Sequence, residues 1–123
     1  MITNLKDYIY THGKDAGLDA EFDSGTPYLK VKLGENTLFW KAALRWHAIS
    51  LTRVQRIFRR VERVYGKMCC GRASFDMEKL VLILDDGAEL ELYLGDNVKT
   101  EAQKLLQALQ DAHPELQYGK PEA

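Results

Sequence analysis

The sequence predicts an α+β domain: antiparallel strands packed as sheets and capped by a C-terminal helix. Residues 75–113, FDMEKLVLILDDGAELELYLGDNVKTEAQKLLQALQDAH, read as strand, tight turn, strand and helix in succession. Upstream, two strand-like segments flank Gly34-Glu35-Asn36 as a second hairpin. At 123 residues the chain makes one domain, 1–123, able to bury roughly two-thirds of its unfolded surface.

Taken from the N-terminus, Thr3 caps a first helix whose Leu5, Tyr8, Ile9 and His12 share one stripe, ending near Gly13. Residues 1–17 are therefore expected as an N-terminal helical extension. Leu18 to Asp23 reads as a short strand, and Ser24-Gly25-Thr26-Pro27 is a turn signal. From Tyr28, Leu29, Val31 and Leu33 alternate with Lys30 and Lys32, the pattern of a half-buried strand. Thr37 to Lys41 returns as its hairpin partner. In the next strand, Leu44 to Leu51, the alternation sets Leu44, Trp46 and Ala48 on one face and Arg45, His47 and Ile49 on the other.

Thr52 to Gly66, TRVQRIFRRVERVYG, divides the reading. Val54, Ile57, Phe58, Val61, Val64 and Tyr65 fall on one helical stripe opposite the arginines, which favours a helix. Four β-branched residues, Val54, Ile57, Val61 and Val64, favour a strand.

Beyond it the chemistry is clearer. Leu80 to Leu84 is an unbroken apolar run, as for a strand covered on both faces. Asp86-Gly87 offers two positive-φ positions for a two-residue turn. Leu90, Leu92 and Leu94 then alternate with Glu89, Glu91 and Tyr93. Val98, Ala102, Leu105, Leu106, Leu109 and Ala112 recur at helical spacing until Pro114 stops the helix. Leu105, Leu106 and Leu109 are expected to cover Leu80, Leu82, Leu84, Leu90 and Leu92. Residues 115–123 are expected to fray as a flexible tail.

Ile49-Ser50-Leu51-Thr52-Arg53-Val54 followed by Ile57 resembles the "I-P-L-x-x-I-x-x-I" stretch of bacterial pleckstrin-homology-like domains. In that family it leads through a short turn into a strand. The later Leu-Val-Leu, Asp-Asp-Gly, Leu-x-Leu and Gly-Asp pattern is similar to the family's last hairpin and capping helix. The resemblance implies a seven-stranded half-open barrel of two packed antiparallel sheets, with strands near 19, 28, 37, 45, 56, 77 and 88 and a C-terminal helix. It makes 52–66 a strand. Family members that bind phosphoinositides use basic residues on the loop between their first strands. Gly34-Glu35-Asn36 is acidic there, so that motif does not carry over.

Function is less legible. The start has no basic region followed by an apolar core, and no apolar run approaches the ~20 residues of a membrane span, so a cytoplasmic location is expected. The only cysteines, Cys69 and Cys70, are adjacent and cannot staple distant segments. The net charge of −1 hides an asymmetry. Residues 45–72 carry eight cationic side chains against the single acid Glu62, a balance of +7, which leaves −8 for the rest. Either this basic segment meets phosphates or an acidic surface, or it meets the acidic part of the chain itself.

Within it, Arg56, Arg59, Arg60 and Arg63 are the candidate binding residues, because guanidinium groups grip phosphates and carboxylates bidentately. They can serve an acidic protein partner, self-association, or a phosphate or lipid headgroup. They can equally pair with Glu62, Glu89 or Glu91. Nucleic acid is disfavoured, since only Phe58 and Tyr65 interleave with the bases. Trp46, beside Phe39 and Trp40, is either core or an outward contact residue. His47 is expected at an exposed or rim position. Lys67 and Arg72 flank the cysteines, but adjacent cysteines share one tetrahedral metal poorly and no histidine lies near to activate a thiol. No metal site, cofactor or catalytic residue is expected. The reading is a non-enzymatic intracellular binding or assembly module for protein. A small enzyme or ligand-binding protein with a cleft near Cys69-Cys70 is the alternative.

Overall fold

The computed structural model describes residues 5–68 and 71–119. A 3-10 turn, Leu5–Tyr8, precedes α1, Ala16–Ser24. β1 (Thr26–Tyr28), β2 (Val31–Leu33), β3 (Thr37–Ala42) and β4 (Arg45–Ser50) form an antiparallel meander in sequence order. A second 3-10 turn, Leu51–Arg53, turns into β5 (Val54–Met68), followed by β6 (Gly71–Leu84) and β7 (Glu89–Asp96). Next come α2 (Lys99–Ala112) and β8 (Gln117–Tyr118), which joins β5 in parallel. The second sheet runs β7-β6-β5-β8, and no closed barrel joins the two sheets. The α+β class with its C-terminal helix is as expected.

The main core lies between the two sheets and α2. Leu38, Trp40 and Ile49 of the first sheet meet Ile57, Leu80, Leu82, Leu84, Leu90, Leu92 and Leu94 of the second, with Leu105 and Leu109 closing one side. Leu106 is only partly buried at its margin, although its spacing promised a core position. Two polar fastenings hold the periphery. His113 Nε2 lies 3.0 Å from the Glu35 carbonyl, tying the end of α2 to the β2–β3 loop. The Tyr118 hydroxyl donates to the carbonyls of Leu109 (2.9 Å) and His113 (2.8 Å), so residues 117–118 are anchored within what was expected to be the tail.

The N-terminal region differs from the sequence reading. The stripe of Leu5, Tyr8, Ile9 and His12 makes a single 3-10 turn rather than a helix; Thr3 lies outside the described residues. One turn suffices to set Tyr8 against Trp40, ring centroids 6.2 Å apart. Ile9 then bridges to His47, and Tyr10 N–H donates to the Trp46 carbonyl at 2.9 Å, so the chain lines the outer edge of β4. Residues 18–23, expected as a strand, lie in α1. Asp15 caps this helix by accepting from Leu18 N–H at 3.1 Å. Glu21 on α1 fastens the β2–β3 turn, accepting from Asn36 N–H (2.6 Å) and Thr37 Oγ1 (2.8 Å). Gly34 permits this approach: a Cβ there would sit 3.2 Å from the Glu21 Cβ and 3.1 Å from the Thr37 carbonyl.

The helix α1 also explains why alternation along β4 misplaces His47 at a rim. Trp40 pairs with His47 and Leu38 with Ile49, so the core-facing residues of β3 bring His47 and Ile49 inward. His47 is 3% exposed and stacks on Trp40 at 5.4 Å, not at a rim. The opposite face is apolar too, because α1 covers it. Phe39 is fully buried there among Tyr10 (5.2 Å) and Phe22 (5.2 Å), and Phe22 meets Trp46 at 5.0 Å. Alternation cannot sort two buried faces.

Residues 54–66 are strand. Their arginines fall on both faces because each face has carboxylates opposite. The β6–β7 turn is longer than expected. Gly87 alone has positive φ (+85°), its N–H reaching the Leu84 carbonyl at 3.0 Å, while Asp86 Oδ1 accepts from Ala88 N–H at 2.9 Å. A four-residue loop replaces the two-residue turn.

Candidate functional site

The four arginines of β5 are each engaged by the chain itself. Arg56 donates to Gln117 Oε1 (2.7 Å) and the Gly119 carbonyl (2.9 Å). Arg59 lies 3.2 Å from the buried Glu78 carboxylate. Arg60 reaches Glu89 (3.2 Å) and Glu91 (2.5 Å) on β7, while Lys79 bridges Glu91 (3.4 Å) and Glu62 (3.3 Å). Arg63 grips Asp76 through Nε (2.8 Å) and Nη2 (3.3 Å), a bond that raises its pKa above the ordinary guanidinium value. Register makes these pairs: Arg63 is directly opposite Asp76, and β7 runs beside Lys79. The four arginines therefore share a strand without converging on one open pocket.

Trp46 is half-buried under Phe22 of α1 and belongs to the outer aromatic cluster. Cys69 and Cys70 lie outside the described residues. Among the described residues, no group of three or more His, Cys, Asp or Glu side chains is placed to hold a metal ion. No helix among them is long and apolar enough to cross a membrane.

A different surface stands out at one end of the first sheet. The β3–β4 turn is Ala43-Leu44, and both residues are left-handed, φ +52° and +65°. Such a turn ordinarily carries Asn or Gly, because a Cβ in that conformation crowds the backbone. Leu44 is 93% exposed. The β1–β2 turn at the same end sets Leu29 at φ +58°, also partly exposed. Cations surround the apolar tip. Lys41 N–H donates to the Lys30 carbonyl at 2.9 Å, so these lysines are neighbours, and Arg45 follows Leu44. Two depressions flank the turn. One, of about 400 Å³, is lined by Lys30, Lys41 and Ala42–Leu44; the other, of about 420 Å³, by Lys6, Ile9, Ala43, Arg45 and His47. Among the described residues no carboxylate lines either.

The sequence pattern does not disclose this tip, because alternation sets Leu44 within the β4 strand on one face with Trp46 and Ala48. The available signal was Lys41-Ala-Ala-Leu-Arg45 itself, a cation at each end of a hairpin-length interval with no Gly, Asn or Pro in it. Compared with protein-family models, curated proteins and solved structures, the chain matches none.

Proposed function

We propose that this protein is a non-enzymatic binding module that docks through the β3–β4 hairpin tip onto an anionic lipid surface. The observation that carries this reading is Leu44, held out in solvent on a left-handed turn and flanked by Lys41 and Arg45, with Lys30 nearby, its ammonium 4.8 Å from the Tyr93 ring centroid. The tip is convex, so it fits a surface that deforms around it better than one that must supply a matching groove. Its apolar point and cationic collar suit the acyl boundary and the headgroup level respectively. The arginines of β5 give little support to the same role, since each already has a partner. The succession of four strands, three strands and a helix supports reading the chain as pleckstrin-homology-like.

The energies are modest. Each cation near an anionic leaflet contributes ~1 kcal/mol, and a buried Leu side chain adds ~1.5–3 kcal/mol. Sums of this size correspond to dissociation constants of roughly millimolar or a little tighter. Docking is then weak and reversible.

Co-sedimentation with vesicles tests it. The protein is expected to pellet with phosphatidylcholine vesicles containing phosphatidylserine, to release as salt rises, and to ignore phosphatidylcholine alone. Leu44→Asp should abolish pelleting. No pelleting at low salt, or pelleting that Leu44→Asp leaves unchanged, overturns the reading.

A further inference from the structure

Among the described residues, β5 is covered on its outer edge only at its start. β8 pairs with β5 only at Arg56 and Ile57, whereas β5 runs on to Met68. The Ile57 carbonyl accepts from Gly119 N–H at 3.2 Å, so Ile57 turns its backbone groups away from β6. Backbone groups alternate sides along a strand, so those of Arg59, Val61, Arg63 and Tyr65 face the same way. Among the described residues, no strand meets them there. Two apolar side chains accompany this edge and are exposed, Val61 at 41% and Tyr65 at 78%.

We infer that a second copy of this chain pairs with this edge, the two β5 strands running antiparallel over residues 59–63 about a two-fold axis at Val61 and parting where β8 holds Ile57. The sequence is self-complementary in that register. Val61 meets Val61 of the second copy, an apolar cross-strand pair removed from water. Arg60, held in its own chain by Glu89 and Glu91, faces the second copy's Glu62, held by Lys79, and the symmetric contact repeats it, so opposite charges meet twice on one face and extend those networks. Arg59 and Arg63 meet on the other face. Each is already held by a carboxylate of its own chain, Glu78 or Asp76, so they approach as neutral pairs. A register displaced by two residues either way, centred on Glu62 or on Arg60, would oppose like charges at the axis and lose the Arg60–Glu62 pairs. Displacement by one residue would point the backbone groups away from each other. Charges on the edge thus admit one alignment and resist open-ended stacking. No residue of the Leu44 tip takes part, so this inference stands apart from the docking surface.

Sedimentation equilibrium of the full chain tests the pairing in the absence of lipid. A reversible dimer is expected. Val61→Lys, at a half-exposed position that tolerates a charge in the monomer, should raise the dissociation constant by about tenfold or more by setting two cations at the axis. Glu62→Lys should do the same by opposing Arg60, and it serves should Val61→Lys fail to fold. Amide exchange supplies an independent reading: Arg59, Val61 and Arg63 should be protected at high protein concentration and lose that protection on dilution. A monomer at every concentration overturns the inference. So does a dimer that neither substitution weakens, or one whose three amides exchange freely.

Discussion

Arg59 Nε lies 3.2 Å from Glu78 Oε2, diagonally across the β5–β6 ladder, and that carboxylate is 1% exposed. The contact is an ion pair without hydrogen-bond alignment at Oε2, so this oxygen is held by proximity of charge. It sits where the apolar core of the second sheet gives way to the projecting end of the β5–β6 hairpin. Among the described residues no other cation is paired with Glu78, so removing Arg59 would leave a buried carboxylate without its charge partner. Arg59→Ala is expected to cost about 3–5 kcal/mol. Adding Glu78→Gln should recover a large part of that loss, because a neutral amide is cheaper to leave without its charge partner. Denaturant melts of both variants check this; equal losses in the single and double variants would mean Arg59 acts by packing alone.

The Arg59–Glu78 pair also marks what the amino-acid sequence does and does not disclose. Strongly patterned elements were legible: Leu90, Leu92 and Leu94 face the core as their alternation requires, and Leu105 and Leu109 cover the last hairpin. The charge asymmetry was visible, but which acids answer the arginines depends on strand register, which links Arg63 to Asp76 and Arg60 to β7. A helix was misread as a strand at 18–23 because its apolar face is only Leu18 and Phe22, and its value lies in tertiary contacts to Phe39 and Trp46. The tip was missed because a two-residue turn of Ala-Leu carries no turn residue at all.

The α2 helix gives a graded test of burial. Leu109 is fully buried and Leu106 only partly so. Leu109→Ala should cost ~2–5 kcal/mol, while Leu106→Ala should cost closer to ~1 kcal/mol. Urea midpoints at equal m-values decide the order. A larger loss at Leu106 would mean that α2 is rotated from the orientation described.

Acid and alkali should both weaken the attachment of α1, for opposite reasons at one hydrogen bond. The Tyr10 hydroxyl donates to Asp19 Oδ1 at 2.5 Å, and Gly13 N–H donates to Oδ2 at 3.0 Å. The Tyr10 hydrogen bond, joined by the Gly13 amide and nearby His12, holds the Asp19 carboxyl below its usual range. Burial and that same bond raise the Tyr10 phenol. A depressed carboxyl stabilises the fold above the unfolded value of about 3.9, and that contribution fades as pH falls through the folded value. A raised phenol favours the fold below about 10 and loses that effect as pH climbs toward its folded value. Tyr10→Phe should therefore destabilise most near neutral pH, with the difference from the parent shrinking in acid and in strong base. Stability curves of the two proteins across pH check it, and a constant difference would exclude the linkage.

The left-handed Ala43-Leu44 turn makes docking and stability oppose each other. Two non-glycine residues in this conformation cost on the order of 1 kcal/mol each. Asn-Gly at the same positions relieves the crowding, though the glycine returns some of the gain through the greater freedom of the unfolded chain. The double substitution Ala43→Asn, Leu44→Gly is expected to raise stability by about 1 kcal/mol. It also removes the Leu44 side chain, apolar and 93% exposed, while Lys30, Lys41 and Arg45 keep their charges. Vesicle pelleting should then fall sharply, although the electrostatic attraction is intact and the fold is firmer. Melting temperature and pelleting measured on one preparation separate the two effects. A stabilised protein that still pellets fully would assign docking to the cations alone. A destabilised one would mean that Leu44 rests on the tip for packing.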